Sequence, residues 1–220
     1  SSPYLVPGEN RDILGVAGQS FASVVRLSKP RQNGANLGYL STNRIYMDGG
    51  SGHLNAITVR ENLSDSWRLT GEYAWSYTVE PETDWVTDGA TFGKYTAATD
   101  GERFHGFSHA TGLQRTSLHW VSDIYYTHVG ETFRADMGFL PLNNRNELGA
   151  QQRYINRLNG QRVKFYQITT GGRANFTPDG RWKQQQLTLE GNAQLAGNFM
   201  LGGGATLNDG AMTHARSYTA

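Results

Sequence analysis

Hydrophobic and polar side chains alternate without a break over residues 67–79. The odd positions carry aromatic or aliphatic residues and one glycine, and the even positions carry polar or small residues. This two-residue period is the pattern of a β-strand whose two faces meet different surroundings. At about 3.3 Å per residue the strand is roughly 40 Å long. Soluble domains use strands of about 5–6 residues, whereas a tilted membrane strand needs about 9–11. Length and aromatic content therefore favour a transmembrane strand.

The same alternation recurs along the chain. It is clear over 118–126, 133–139 and 187–207, and weaker over 20–28, 35–46, 54–63, 104–114, 145–156 and 162–176. Turn-forming sequences separate many of these runs: Asp48-Gly49-Gly50, Ser64-Asp65-Ser66, Asn159-Gly160, Pro178-Asp179-Gly180 and Asn208-Asp209-Gly210. No window shows the period of an amphipathic helix. We therefore predict an all-β protein of about a dozen antiparallel strands in up-and-down order.

The membrane interpretation carries a condition on the sheet. A strand in lipid has no water to satisfy its backbone amides, so a membrane-spanning sheet has to close on itself. The prediction is an antiparallel up-and-down transmembrane β-barrel, with residues 1–220 forming the barrel domain or a fragment of one. Because a further strand pattern is under way at 216–220, we expect the barrel to extend beyond this chain. The side chains expected to face lipid or the membrane interface are Trp67, Leu69, Tyr73, Trp75 and Tyr77.

Charged side chains on polar faces are expected to point into the barrel. A Lys or Arg that faces hydrocarbon at the bilayer midplane costs about 2–4 kcal/mol. The candidates for the lumen are Arg68, Glu72, Arg134, Asp136 and Glu190. Ion pairs that brace the wall are the favoured interpretation of these charges, and selection of a solute is the alternative.

One connection differs from the short turns. Residues 81–102 are acidic and rich in turn-forming residues. Barrels have short turns on one side and long loops on the other, so we predict that 81–102 is a long extracellular loop. Its carboxylates make a calcium site conceivable, but their spacing does not match an EF-hand loop. A solvated surface loop is the favoured interpretation.

Composition and charge exclude several classes of function. Hydrophobic residues make up 37% and the mean hydropathy is -0.56, which suits a barrel whose strands are apolar on one face only. The net charge is +1, and the Lys and Arg residues are scattered, so no nucleic-acid partner is expected. The absence of Cys excludes disulfides, thiolate metal sites and cysteine nucleophiles.

No catalytic residue, metal or cofactor is predicted. His105 and His109 would lie roughly 13 Å apart along a strand, too far for one metal ion, so a polar-face or interfacial role is favoured. The stretch from Gly106 to Ala110 lacks the last glycine of a nucleophile elbow. We therefore expect that the protein is not an enzyme.

Three segments carry a family resemblance. The stretches Leu63–Gly71, Val24–Tyr46 and Phe133–Pro141 resemble the DUF5916 family, the last of them through a Phe-Arg-Ala-Asp and Gly-Phe-Leu-Pro run. After that run this chain has Leu142-Asn143-Asn144 where the family usually has an Arg and then an acidic residue. The resemblance implies an outer-membrane barrel, often attached to an amino-terminal carbohydrate-binding module of family 9 type. That module is not visible in this sequence.

These observations lead to three hypotheses on function. The first is a channel or transporter in the bacterial outer membrane for small solutes, or for oligosaccharides if the family module is attached elsewhere. The second is a structural or assembly barrel that holds partner proteins at the cell surface. The third is a secreted, soluble β-rich binding module. Membrane lipid and lipopolysaccharide are the expected partners in the first two, together with outer-membrane or periplasmic proteins.

Overall fold

Long antiparallel strands dominate the structure, a computed structural model that describes residues 2–9, 12–138, 142–158, 160, 162–209 and 211–219. Two single 3-10 turns, Gln32–Gly34 and Ala196–Asn198, connect neighbouring strands. Among the described residues, no helix has the length and apolarity needed to span a membrane. In chain order the strands are β1 (Ser2–Val6), β2 (Ile13–Ala17), β3 (Ser20–Pro30), β4 (Asn36–Tyr46), β5 (Ser51–Asn62), β6 (Trp67–Val79), β7 (Thr91–Phe92), β8 (Tyr95–Thr96), β9 (Arg103–Thr116), β10 (Trp120–Val129), β11 (Arg145–Arg157), β12 (Val163–Phe176), β13 (Trp182–Leu195), β14 (Met200–Asn208) and β15 (Ala211–Thr219).

One sheet contains eleven of these strands in the order β15-β14-β13-β12-β11-β10-β9-β6-β5-β4-β3. Each strand pairs with its neighbours along the chain, apart from the two short hairpins β1–β2 and β7–β8, which form sheets of their own. The prediction of an all-β fold built on one antiparallel up-and-down sheet is confirmed. In the part of the chain that the structure describes, β3 and β15 each have one sheet neighbour, so closure of the sheet is not seen.

The turns fall where the sequence predicted them, with backbone angles that explain the residues used. Gly49 and Gly50, between β4 and β5, have φ of 93° and 87°. Gly180, between β12 and β13, has φ of 88°, and Asp209, after β14, has φ of 45°. This left-handed region is readily open to glycine and is tolerated by Asp and Asn. Asn159 and Gly210 lie outside the described residues.

Two predicted strand runs differ from the structure. The run 187–207 is two strands, β13 and β14, joined by the turn Ala196–Asn198. Residues 133–138 are not a strand but a loop that follows β10, and Phe133 and Arg134 in it are buried. An alternating pattern of four apolar side chains is short enough to arise in a buried loop. The predicted end of that run, Phe139, lies outside the described residues.

The chain divides into two compact units. The first contains the residues up to Glu61, Thr70–Thr111 and Thr127–Asn146, and the second contains Asn62–Leu69, Gly112–Tyr126 and the residues from Glu147 onward. In the first unit, the β1–β2 hairpin packs through Tyr4 and Val6 on Tyr46 of β4 and Val86. A second core joins Phe133 and Val129 to Ala56 of β5 and Ala74 of β6. Side chains of one sheet face in this unit are therefore covered by the β1–β2 hairpin and by loop segments.

The two faces of β6 differ as the alternation predicted. Ala74, Ser76 and Thr78 are buried, whereas Tyr73 and Trp75 on the opposite face are exposed. Strand β9 repeats the pattern, since Phe104 and Gly106 are buried and Phe107 is exposed. On β6 the buried positions carry small or polar side chains, and at Gly106 of β9 loop backbone lies directly on the sheet. At Gly106 an added Cβ would lie 2.2 Å from the Cα of Phe133 and 2.5 Å from the carbonyl oxygen of Thr132.

We expect Gly106→Ala to destabilise the fold by about 1–3 kcal/mol, the range for overpacking a filled site. The atoms that the new methyl would meet belong to the backbone, which cannot rotate away. Gly71→Ala in β6 is the matched control, because an added Cβ there meets no atom within 4 Å. Denaturant unfolding of the two variants in detergent measures the difference. Equal unfolding midpoints would contradict the close approach of the loop to β9.

Candidate functional site

Arg134 lies at the centre of a buried polar cluster in the first unit. Its Nη1 donates to the Tyr4 hydroxyl at 2.9 Å and lies 2.7 Å from Glu80 Oε1. Its backbone N–H donates to Ser76 Oγ at 3.2 Å. The side chains of Arg134 and Glu80 are 2% and 0% exposed, so this is a fully buried ion pair. The pair links three segments that are distant in sequence: the first hairpin, the end of β6 and the loop after β10.

The chain around Arg134 explains how a charged side chain reaches the interior. After β10 the chain turns at Gly130, whose carbonyl oxygen accepts from the Phe133 N–H at 3.3 Å. Phe133 then packs among small side chains, Ala56 and Ala74, which leave room for the loop above the sheet. Burial of this phenyl ring holds the next residue, Arg134, beneath the surface.

Aromatic rings surround the guanidinium of Arg134. Its Cζ lies 4.6 Å from the ring centroid of Phe104, 5.3 Å from that of Phe92 and 6.0 Å from that of Tyr4. The faces of aromatic rings attract cations, by about 0.5–2 kcal/mol according to how dry the site is. The attraction between the rings and the guanidinium therefore offsets part of the hydration free energy that Arg134 loses on burial.

Burial dominates the acidity of the neighbouring groups. It raises the pKa of Glu80 to about 7, although the Arg134 charge acts in the opposite direction. The nearby Asp100 and Glu102 carboxylates add to that increase in the pKa of Glu80. Burial likewise raises the pKa of the Tyr4 hydroxyl and that of the Asp136 carboxyl, with Arg134 again opposing the shift. The surroundings of Glu80, Tyr4 and Asp136 thus all disfavour the anionic form of the side chain.

Asp136 occupies a second polar position in the same loop. Its carbonyl oxygen accepts from Arg44 Nη1 at 3.1 Å, and Arg44 Nε donates to Ser20 Oγ at 3.0 Å. The carboxylate fits only because residue 52 is glycine, since an added Cβ there would lie 1.9 Å from Asp136 Oδ2. Arg44 and Asp136 border a cavity of 540 Å³, to which Tyr4 also contributes. This cavity is partly apolar, and its charged groups come from β4 and the loop after β10.

Three carboxylates meet beside the buried ion pair. One carboxylate oxygen from each of Glu80, Asp100 and Glu102 lies within 4.8 Å of the others. Thr96 of β8 holds two of them, because its N–H donates to Glu102 Oε2 at 2.8 Å and its hydroxyl donates to Asp100 Oδ2 at 3.0 Å. The group is graded in exposure, from buried Glu80 through half-buried Glu102 to exposed Asp100.

The residues predicted to face the lumen do not form one site. Arg134 and Asp136 lie in the same loop after β10 rather than on a strand, and Arg134 is buried whereas Asp136 is half-buried. Arg68 is an exposed residue of β6 whose Nε donates to Asn62 Oδ1 at 3.1 Å. Glu72, also in β6, is exposed. Glu190 is an exposed residue of β13 that pairs across the sheet with Gly204.

The residues predicted to face lipid occupy the odd-numbered face of β6. Tyr77 stacks on His105 and Tyr73 stacks on His109, with ring centroids 4.6 Å and 5.7 Å apart. Trp75 is exposed on the same face, and Leu69 is half-buried. At the start of the strand Trp67 lies under Arg115, whose Cζ is 5.7 Å from the ring centroid. The two histidines therefore lie on the same face of the sheet as the tyrosines.

The connection over 81–102 is more structured than the solvated loop that the sequence favoured. It runs between β6 and β9 as predicted, but it contains the β7–β8 hairpin and buries Val86, Phe92 and Ala97. Trp85 packs edge-on against Tyr4 and Tyr46, with ring centroids 5.4 Å and 4.9 Å away. Isolated apolar residues in an acidic segment gave no periodic signal, so sequence reasoning missed this packing.

Sequence reasoning also missed Glu80, Tyr4 and Ser76 as partners of Arg134. One signal was available: Ser76, Thr78 and Glu80 continue the even, polar phase of the alternation past the end of β6. Tyr4 had no such signal, because its position depends on a hairpin that folds back over β4. The cluster clamps these segments together, which is a structural role for its charges.

We expect Arg134→Met to destabilise the protein by about 3–5 kcal/mol, because it leaves the Glu80 carboxylate buried without its counter-charge. The double variant with Glu80→Gln should recover part of that loss. Arg181→Met is the control, since it breaks an ion pair with Asp179 whose side chains are 64% and 60% exposed and should cost less than about 1 kcal/mol. Unfolding free energies of the four proteins test this, and a double variant no more stable than Arg134→Met alone would contradict the pairing.

Comparison with known proteins adds no further assignment to this geometry. No protein-family model, no curated protein and no solved structure matches the chain. The function is therefore inferred from the residues of the chain itself.

Proposed function

We propose that the eleven-stranded sheet forms part of the wall of a β-barrel in a bacterial outer membrane, and that small polar solutes pass through this barrel. The observation that carries the proposal is the exposure of large apolar side chains on one face of strand after strand. Each of the eleven strands has nine residues or more, which is the length that a tilted strand needs to cross a bilayer, about 9–11 residues. Water-soluble proteins rarely leave a contiguous apolar surface of this kind uncovered.

In the first unit the exposed apolar face is rich in aromatic and β-branched residues. Phe21 on β3 pairs with Ile45 on β4, and both are exposed. Tyr73 and Trp75 on β6 and Phe107 on β9 add exposed rings. Rings that carry a polar atom are the side chains that membrane barrels place at their interfaces with water. Lipid and the hydrocarbon part of lipopolysaccharide are the partners that this face fits.

In the second unit no residue of β13 is buried, and the two faces of this strand differ in chemistry. On β13 the odd positions Leu187 and Leu189 are exposed and apolar. The even positions between and beyond them are polar: Gln184, Gln186, Thr188, Glu190, Asn192 and Gln194. A face lined by polar side chains that are exposed or half-buried is what a water-filled lumen requires. This face supports the proposed passage of solutes, in which the charge of Glu190 would influence which ions pass.

The packed interior of the first unit favours a second candidate function. There the β1–β2 hairpin, the 80–102 segment and the loop after β10 fill the space over the sheet. A barrel filled in this way throughout would serve as a scaffold for outer-membrane or periplasmic proteins, with the 81–102 segment as an extracellular surface. Both functions need no cofactor and no catalytic group.

The membrane proposal predicts that Leu189→Arg destabilises the protein in lipid by about 2–4 kcal/mol, the cost of a basic residue on the lipid face of a barrel near the midplane. A water-exposed leucine would tolerate the same change, because surface substitutions are usually within about 0.5 kcal/mol. Glu190→Arg, one position along the same strand and on the opposite face, is the matched control and should be tolerated. Unfolding in phospholipid vesicles measures both. A neutral Leu189→Arg would show that this face meets water.

The lumen proposal predicts ion conductance by the protein in planar bilayers, with a selectivity that depends on Glu190. Replacing this carboxylate with a cation in Glu190→Lys should shift the reversal potential in a salt gradient toward anion preference. Asp65→Lys, which makes the same charge change in the exposed turn before β6, should shift it much less. Insertion without conductance would favour the scaffold function instead. Equal shifts from the two variants would contradict a place for Glu190 in the pore.

A further inference from the structure

Three carboxylates converge where the segment after β6 meets the segment before β9. One oxygen each from Glu80, Asp100 and Glu102 lies within 4.8 Å of the other two. Oxygens bound to one Ca²⁺ at about 2.3–2.6 Å are at most about 5 Å apart, so a single ion can reach all three. We propose that these residues form a binding site for a divalent cation, with Ca²⁺ as the ion that fits. The proposal does not depend on the membrane function.

Glu80 supplies the observation that an acidic surface patch lacks. The residue is 2% exposed, and its Oε1 is paired with Arg134 Nη1 at 2.7 Å. Its Oε2 has no hydrogen-bond donor among the described residues. Buried polar atoms are nearly always satisfied, because an unsatisfied one costs about 1–3 kcal/mol, and more if it is charged. Glu80 Oε2 is therefore a buried acceptor without a donor in the described part of the chain, and its carboxylate is one of the three that converge.

The balance of charge fits a divalent ion. The three carboxylates carry three negative charges when all are ionised, and Arg134, which pairs with Glu80, offsets one of them. Two negative charges then remain at a partly buried position. Like charges this close repel one another strongly where water is excluded. A proton on Glu80 relieves part of that repulsion, and a divalent cation relieves it fully.

The backbone and one threonine hold the carboxylates in place. The Glu80 N–H donates to the Glu102 carbonyl oxygen at 2.9 Å, which keeps the two segments side by side. Thr96 donates to one oxygen of Glu102 and to one oxygen of Asp100, so the direction of both groups is set before an ion arrives. Preorganisation of this kind lowers the ordering cost of binding.

The exposure of the site selects among ions. Asp100 is exposed, so an ion can enter from solvent and retain water molecules on that side. Ca²⁺ accepts 6–8 oxygens in irregular arrangements, whereas Mg²⁺ demands a near-ideal octahedron at about 2.0–2.1 Å and gives up its water reluctantly. The group contains no His or Cys, the ligands that zinc and copper favour. With only three protein carboxylates, we expect a dissociation constant of about 10⁻⁴–10⁻³ M, as in extracellular calcium modules.

Terbium luminescence and thermal unfolding test the site on the full chain in non-ionic detergent. Tb³⁺ substitutes for Ca²⁺ and is sensitised by nearby Trp and Tyr, which Trp85 and Tyr95 of the same segment provide. We expect saturable emission that Ca²⁺ displaces and that equal Mg²⁺ displaces much less. We also expect Ca²⁺ to raise the Tm and a chelator to reverse the rise.

Asp100→Asn keeps an amide oxygen that can accept from the Thr96 hydroxyl but removes one charged ligand at an exposed position. It should weaken binding about tenfold or more, since ligand charge sets the affinity of such sites. Asp84→Asn is the matched control: it makes the same substitution at another exposed aspartate of the segment, and Asp84 is not one of the three converging residues. It should leave the affinity for Tb³⁺ and the Ca²⁺-dependent Tm shift unchanged. Absence of displaceable emission in the unaltered protein would overturn the site. Equal losses in the two variants would do so as well, because they would indicate diffuse attraction by an acidic surface.

Discussion

Backbone pairing between adjacent strands is the constraint on which the rest of this protein depends. Antiparallel ladders satisfy the amides of each strand only if successive side chains point to opposite faces of the sheet. The chain uses that rule over eleven strands, and on β6 it separates exposed Tyr73 and Trp75 from buried Ala74 and Ser76. The apolar face, the polar face and the proposed place of the protein in a membrane all follow from this separation.

In the first unit, loops pack on the polar face of the sheet while the strands beneath keep their backbone hydrogen bonds. Small residues on the sheet, among them Ala74 and Gly106, allow loop backbone to lie directly on the strands. The loops then bring in Arg134, whose buried charge is matched by Glu80 and by aromatic rings. A buried ion pair is weak evidence for stability, because desolvation offsets most of its attraction. The contacts of Arg134 with Tyr4 and Glu80 connect the first hairpin to the end of β6, and we expect them to favour this one arrangement of the two segments.

The same cluster contains the groups on which the stability of the 80–102 segment depends. Burial raises the pKa of Glu80 to about 7, and the two further carboxylates beside it act in the same direction. The segment is held partly by its apolar side chains and partly by groups that repel one another, so an ion or a proton at this point changes its stability. On β13, in contrast to the buried Glu80, the Glu190 carboxylate is exposed.

Alternation alone could not locate every strand end, and the reasons are geometric. In the β13–β14 hairpin, Leu187 pairs with Leu207, Leu189 with Ala205 and Ala193 with Leu201. Odd-numbered residues of β13 pair with odd-numbered residues of β14, so apolar residues stay at odd positions on both sides of the turn. The sequence pattern therefore does not reveal the turn, and the two strands were predicted as one. Over 133–138 the error had the opposite cause, since Phe133 is apolar because it is buried in a loop and not because it lies on a strand.

By itself the sequence determined the fold class, the antiparallel order, most strand bounds and the turns, because a period of two and glycine at positive φ are local properties. It also determined which side chains of β6 share a face. Only the tertiary structure decided that Arg134 pairs with Glu80, that Val86 and Trp85 pack on Tyr4, and that Asp100 and Glu102 approach Glu80. Those contacts join residues far apart in the chain, and their formation depends on the space left by small side chains on the sheet. No local pattern records that space.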